Sequence, residues 1–302
     1  MTGTELWQLT AAEIASALAN GTVSADELTR HYLGRIERHD DQLLSFVALS
    51  PTALEEARQS DQRRRRGEAR GLLDGIVVAI KDNFVTEGMP TQAGFAHYIP
   101  TDMPREATLV QRLREAGAII IGKTRMHQFA WGMQTPPARN PWDQTRIPGG
   151  SSGGSAIAVS AGLATAAIGT DTGGSIRIPA ALCGTVGLKP SFGLVSRHGL
   201  VPHSWSLDHA GPLCRSVEDA AILMEVIAAP DHRDPASAGR APEPYLRNLR
   251  TPHRPLRFAV CRNYFFDAVT DEVKAAVDVL VRELQAGGHH VVDVEVPDLA
   301  HG

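Results

Sequence analysis

The chain has 302 residues, enough for one large domain or two small ones with an ample core. Hydrophobic residues make up 43% and charged residues 21%, and the formal net charge is −4; this ordinary soluble balance gives no reason to expect nucleic acid or an anionic membrane as partner. Three dispersed cysteines, Cys183, Cys214 and Cys261, form no CxxC pair, which argues against a disulfide framework or a zinc site and fits a reducing cytosol.

Residues 1–70 read as a helical layer. The N-terminus lacks a basic segment followed by an apolar one, so no signal peptide is expected, and no apolar run reaches the ~18 residues of a membrane span. Thr10 with Glu13 and Ser24 with Glu27 have capping-box spacing, and Leu28, Tyr32 and Ile36 then recur at helical period. The basic run Arg63 to Arg66 sits in a polar stretch and reads as a solvated helix face or helix end.

From residue 71 to 230 the pattern becomes α/β. GIVVAIKDNF (75–84) is a short β-rich run, and 106–124 reads as a helix, a glycine stop and a strand over Ala118 to Ile121. Ala156 to Ala161 looks like a small-residue helix and Ala164 to Gly169 like a buried strand. Ser216 to Ala228 is a helix in which Ser216 caps and Asp219 completes the box. Asp231 to Thr251 is Pro-rich and polar, a surface loop. Residues 252–302 then give a strand at 256–261, a helix from Asp271 stopped by Gly287 and Gly288, and a strand at 289–297. This βαβ unit is expected to extend the edge of the same sheet in a single 302-residue domain.

Three local patterns bear on chemistry. Gly117-x-x-x-x-Gly122-Lys123-Thr124 has Walker A spacing, but its intervening Ala-Ile-Ile-Ile is the strand itself, so no phosphate loop can form. Gly149-Gly150-Ser151-Ser152-Gly153 matches G-x-S-x-G, yet no strand precedes it as an elbow requires; Asp208 and His209 are the later residues that could complete such a triad. The third pattern is an assembly. Lys81 ends an apolar strand, Ser151 lies in one Gly-Ser loop, and Ser175 follows it by 24 residues in Asp171-Thr172-Gly173-Gly174-Ser175. A serine needs a base to take its proton, and a lysine serves only when neutral, which burial among residues such as VVAI favours. Asp82 would oppose that neutrality and is expected to point elsewhere. Glycines at 173 and 174 would leave main-chain N–H groups open to a developing oxyanion; a plain tight turn explains them as well. No HExxH or Cys/His ligand spacing marks a metal.

The stretches GIVVAIKDNFVTEGMPTQAG, PGGSSGGSAIAVSAG, GTDTGGSIRIPAALCGTVGLKPSFGLVSRHGLVP and SLDHAGPLCRSVED closely resemble the amidase signature family, over roughly Leu6 to Asp231. The resemblance implies a three-layer α/β/α fold around a central mixed β-sheet and hydrolysis of carboxamides without metal or cofactor. It implies Lys81 as base, Ser151 as bridging serine in a cis peptide and Ser175 as acylated nucleophile. The N–H groups of Thr172, Gly173, Gly174 and Ser175 would form the oxyanion hole, with Ser152, Asp171 and Arg177 as support. The expected partner is a small-molecule carboxamide in the cytoplasm. A homo-oligomer, a glutaminase subunit working with tRNA-dependent amidotransferase partners, and an inactive remnant remain alternatives. Met133 to Ala138 is shorter than the family's usual segment at the pocket wall. Members also run well beyond residue 302, so exposed apolar surface is expected where the remaining layer would lie.

Overall fold

The computed structural model describes residues 5–237, 239, 241–251 and 254–299. It separates into two compact units, Met1–Leu249 and Arg250–Gly302. In the first unit the capping boxes form as the sequence specifies. Thr10 opens α1 (Ala11–Ala19) and Ser24 opens α2 (Ala25–Leu43), each side-chain oxygen accepting from the N3 amide while the N3 glutamate reaches back. Strand β1 (Phe46–Leu49) and α3 (Ala53–Arg65) follow. Arg63 is not solvated. Its guanidinium donates twice to the buried Asp74 carboxylate, and Arg64 donates to the Asp74 carbonyl, because a buried carboxylate must find donors.

Strand β2 (Val77–Lys81) is buried at every residue. Helix α4 (Thr108–Glu115) ends at Gly117, whose φ of 84° and close approach to Asp74 exclude a side chain. Strand β3 (Ile119–Thr124), α5 (Gly153–Ser160), β4 (Ala166–Asp171), α6 (Arg177–Cys183), β5 (Val186–Gly187), β6 (His209–Cys214) and α7 (Val217–Ile227) complete the α/β frame. The six strands run in the order β1-β3-β2-β4-β6-β5. The strand β2 is parallel to both β3 and β4, whereas β1, β6 and β5 pair antiparallel. This is the expected mixed sheet in an α/β/α architecture. Small residues let α5 lie directly on β2, β3, β4 and β6; at Gly154 an added Cβ would sit 2.4 Å from the Ser45 carbonyl and 2.5 Å from that of Arg125.

Three local expectations change. Ser216 caps α7 by accepting from the Asp219 amide, but the Asp219 carboxylate turns away and accepts from Ala12 in the first turn of α1. Asp219 therefore joins two helices instead of closing its own box. The segment after Asp231 is not only loop: Tyr245–Arg250 forms α8. Its start is anchored too, with buried Asp231 receiving Thr108, Ser196 and Arg233, and buried Asp234 receiving Arg197. Finally, β7 (Arg257–Cys261) and β8 (His290–Val294) are joined by α9 (Asp271–Ala286) and pair in parallel as a two-stranded sheet of their own. They satisfy each other's main-chain groups and add no strand to the six-stranded sheet, which ends on β1 and β5 among the described residues. An apolar groove of about 590 Å³ borders β5, lined by Val186, Leu188, Leu194, Val217 and Met224 among others. No described helix is long and apolar enough to cross a membrane.

Candidate active site

Lys81 is the last residue of β2. Its parallel neighbour β4 ends in Thr170 and Asp171, in a register that sets Ile80 opposite Ile168. The site thus lies beyond the carboxyl ends of parallel strands, where open α/β sheets gather chemistry. Helix α5 brings the serines. Ser155 on its first turn donates to the Ile168 carbonyl and contacts Thr124 Oγ1 at 2.6 Å, which fixes the turn carrying Ser151 and Ser152 over the strand ends. The Gly150–Ser151 peptide is cis, as the resemblance implies, and Pro136–Pro137 is cis as well.

The Lys81 ammonium is fully buried and surrounded by hydroxyls. Its Nζ lies 2.7 Å from Ser151 Oγ, 2.8 Å from Ser152 Oγ and 2.7 Å from Thr170 Oγ1. Burial pushes Lys81 down from its ordinary 10.5 to about 7, against the opposing pull of the Asp208 and Asp171 carboxylates. Asp82 points away, as expected, and meets Lys123 at 3.1 Å. Lys123 also donates to Thr91 Oγ1 and the Pro90 carbonyl. The Walker-like lysine is therefore a buried ion-pair partner at the end of β3, with no phosphate loop around it.

Ser175 occupies the neighbouring loop and is 8% exposed, whereas Ser151 and Ser152 are fully buried. Its carbonyl accepts from the Ser152 amide at 3.2 Å, which joins the two serine loops. Its hydroxyl makes no hydrogen bond among the described residues, to Ser151 or to any other group. The Asp171 carboxylate organises this loop. It accepts from the amides of Gly174, Ile176 and Arg177 and from the Arg177 guanidinium at 3.0 Å on each oxygen. Burial alone would raise the Asp171 carboxyl, but the Arg177 guanidinium and these amides outweigh it and hold it below the usual carboxylate range.

That arrangement corrects one expectation. The Gly174 amide is already donated to Asp171 at 2.8 Å, so it is no free oxyanion donor. The amides of Thr172, Gly173 and Ser175 have no protein acceptor among the described residues. A Cβ on Gly173 would meet nothing within 4 Å, so that glycine faces open space. The Ser-Asp-His alternative is not assembled. Asp208 accepts from Thr172 Oγ1 and from the amides of His203 and Ser204. His209 turns Nδ1 to the Leu207 carbonyl at 2.6 Å and Nε2 to Lys189 at 3.1 Å.

Two residues at the site were missed by sequence reasoning. Thr170 contacts Lys81 directly, and Asn83 Nδ2 contacts Thr170 Oγ1 at 3.1 Å. Asn83 stands two residues after Lys81, a spacing that places side chains on one side of an extended chain; that was the available signal.

Residues 27–302 match the profile of the family described as Amidase. The chain belongs to the Amidase family. Among curated relatives, it is 45% identical over 300 residues to a glutamyl-tRNA(Gln) amidotransferase subunit of Chloroflexus aggregans, covering 97% of this chain and 62% of that protein. The Pseudomonas aeruginosa protein of the same name is 44% identical, with 98% and 62% covered. Among solved structures, the native peptide amidase of Stenotrophomonas maltophilia superposes with a TM-score of 0.87 at 36% identity, covering 97% of this chain and 63% of that one. The corresponding glutamyl-tRNA(Gln) amidotransferase subunit of Thermotoga maritima superposes with a TM-score of 0.82 at 36% identity, covering 98% and 63%. This amidase-family chain therefore spans less than two thirds of the length of the relatives it matches.

Proposed function

We propose that the chain hydrolyses a carboxamide C–N bond through an acyl-enzyme on Ser175. The observation that carries this reading is a fully buried Lys81, brought to about 7 by burial and 2.7 Å from Ser151 Oγ. An amine half-neutral near physiological pH can take a proton from a hydroxyl it touches. In the cycle, Ser175 Oγ bonds to the amide carbonyl carbon as its proton passes to Ser151 and the Ser151 proton passes to Lys81. The free amides of Thr172, Gly173 and Ser175 hold the resulting oxyanion. The C–N bond then breaks, and the relay returns a proton to the leaving nitrogen. Water repeats the attack and releases the carboxylic acid and Ser175. The Ser175 hydroxyl closes onto Ser151 as substrate binds, since catalytic hydrogen bonds in free sites are often long or misaligned. Ser152, Asp171 and Arg177 hold the two loops in register.

A fluorophosphonate probe and ammonia release from a panel of simple, aryl and peptide amides test this. The expected result is a label on Ser175, abolished in Ser175→Ala and strongly reduced in Lys81→Ala. A folded chain that takes no label, or a label surviving Ser175→Ala, refutes it.

A second reading is favoured by the curated relatives named as glutamyl-tRNA(Gln) amidotransferase subunits, 45% identical to this chain: the same site would release ammonia from glutamine for partner subunits. Preference for glutamine, with co-purification of a second subunit, selects it; preference for peptide or simple amides selects the stand-alone enzyme. The buried free thiols of Cys183 and Cys214 support a reducing compartment, the cytoplasm, for either.

A further inference from the structure

Three hydroxyls lie within 2.8 Å of Lys81 Nζ, those of Ser151, Ser152 and Thr170; the Thr170 carbonyl is farther, at 3.5 Å, and already accepts from Ser152 Oγ at 3.1 Å. Distance does not say which of them hands over a proton. A proton count does. A neutral amine has two N–H donors and one lone pair, so it donates to two of the three hydroxyls and accepts from the third. Ser152 is settled first. Its hydroxyl donates to the Thr170 carbonyl at 3.1 Å and accepts from the Thr170 amide at 3.2 Å. Its proton is spent, and toward Lys81 it can only accept.

Thr170 decides the rest. Oγ1 lies 2.7 Å from Lys81 Nζ and, as the amide stands, accepts from Asn83 Nδ2 at 3.1 Å. That amide is buried, and its Oδ1 has no hydrogen-bond partner among the described residues. A buried carbonyl without a donor and a buried hydroxyl proton without a settled acceptor thus meet at one amide. The two ends of an asparagine amide differ only by a half-turn, and the network decides between them. After that half-turn Oδ1 faces Thr170 and takes up the hydroxyl proton, both remaining roles of Thr170 are acceptor roles, and Nδ2 moves to the place without a partner. The main chain holds Asn83 for this purpose, its carbonyl accepting from the Val201 amide at 2.8 Å.

We infer that Thr170, held by Asn83, is a positioning residue for Lys81: it takes one N–H, Ser152 takes the other, and the lone pair is left to Ser151 alone. The Ser151 hydroxyl has no other hydrogen-bond partner among the described residues, so its proton is free to move. The inference rests on the catalytic reading above and names what gives the relay its direction. The charged groups facing this network are Asp171, tied to Arg177, and Asp208, tied to Thr172. Lys123 on the adjacent strand β3 and Asp82, the residue after Lys81, compensate one another.

The test uses the full chain and two readouts. The sequence contains four lysines, Lys81, Lys123, Lys189 and Lys274, so 13Cε-lysine NMR follows the titration of Lys81 directly, and a fluorophosphonate probe gives the labelling rate of Ser175. Thr170→Val keeps the shape and removes the acceptor. Losing a buried hydrogen-bond partner is expected to slow labelling about tenfold and to move the Lys81 titration to lower pH, because an acceptor favours the ammonium. Thr170→Ser restores both. Asn83→Ala slows labelling without touching Lys81, and serves if the valine variant does not fold. If Thr170 instead donates to the lone pair, Thr170→Val moves the titration upward and labelling does not slow; that result overturns the inference and leaves the nucleophile assignment standing. A wild-type chain that takes no label on Ser175 overturns both.

Discussion

Replacing Lys81 by methionine should change the pH dependence of stability by a predictable amount. The unfolded chain holds the Lys81 proton up to its ordinary 10.5, and the folded chain releases it at about 7 because burial disfavours the ammonium. At about 1.36 kcal/mol per pH unit, the full difference between these values corresponds to about 5 kcal/mol. Between them the unfolded state binds more protons, so this residue makes stability rise with pH. Below about pH 7 both states are protonated and its contribution is flat. Methionine is of similar length and carries no proton. Its loss of the bonds to Ser151, Ser152 and Thr170 adds an offset that does not vary with pH. Urea unfolding of both proteins from about pH 5.5 to 9 should show wild type gaining on Lys81→Met by about 2 kcal/mol between pH 7 and 9, and by nothing measurable below about pH 6. Parallel curves across the whole range would mean that Lys81 keeps its proton in the folded state, and the proposed base would be lost.

The remaining expectations concern the frame around the site. Asp74→Ala strips the Arg63 guanidinium and the Arg70 amide of a buried carboxylate partner and should cost about 3–5 kcal/mol by urea unfolding. Lys123→Met leaves the buried Asp82 carboxylate uncompensated and should cost a similar ~3–5 kcal/mol, measured by the same method. Gly174→Ala and Gly173→Ala should part company. The first has φ 129° and a Cβ 2.6 Å from Ile178, so it should lower stability by about 1–3 kcal/mol. The second, with open space at its Cβ, should unfold like wild type and yet lose most of its Ser175 labelling.

Much of this architecture is readable in the chain because it is local. A threonine or serine three residues before a glutamate specifies a helix start without help from elsewhere, and both N-terminal boxes form as spelled. A valine-isoleucine run ending in a lysine announces a buried strand with a polar end. What escaped reading is what depends on who else wants the same group. Gly174 offers an amide to an oxyanion only if nothing nearer claims it, and Asp171, three residues earlier, does. Short-range bonds from an aspartate to main-chain amides a few residues on are common in such loops, so the chain does carry a signal for this one. Asp219 has the spacing of a capping box, but its carboxylate is taken by the amide of Ala12, 207 positions away. Arg63 looked solvated because its partner Asp74 sits beyond the helix in a different segment. Thr170 lies one residue past the strand read over Ala164 to Gly169, and only the parallel pairing of β2 with β4 turns it toward Lys81.

The pair of buried lysines shows how little separates a base from a structural cation. Lys81 and Lys123 lie at the ends of neighbouring parallel strands, both with fully buried side chains and both pushed down by burial. Their difference is the company they keep. Asp82 follows Lys81 directly in sequence, but successive side chains of an extended chain point to opposite sides, so its carboxylate goes to Lys123 and pulls that ammonium back up. Lys81, on the other side, is touched by three neutral hydroxyls and, at 3.5 Å, the Thr170 carbonyl, and by no carboxylate. The alternation of the chain at one position thus gives the carboxylate to one lysine and withholds it from the other. Had Asp82 faced Lys81, the amine would stay protonated at neutral pH, the lone pair would be gone, and Ser151 would have nothing to hand its proton to.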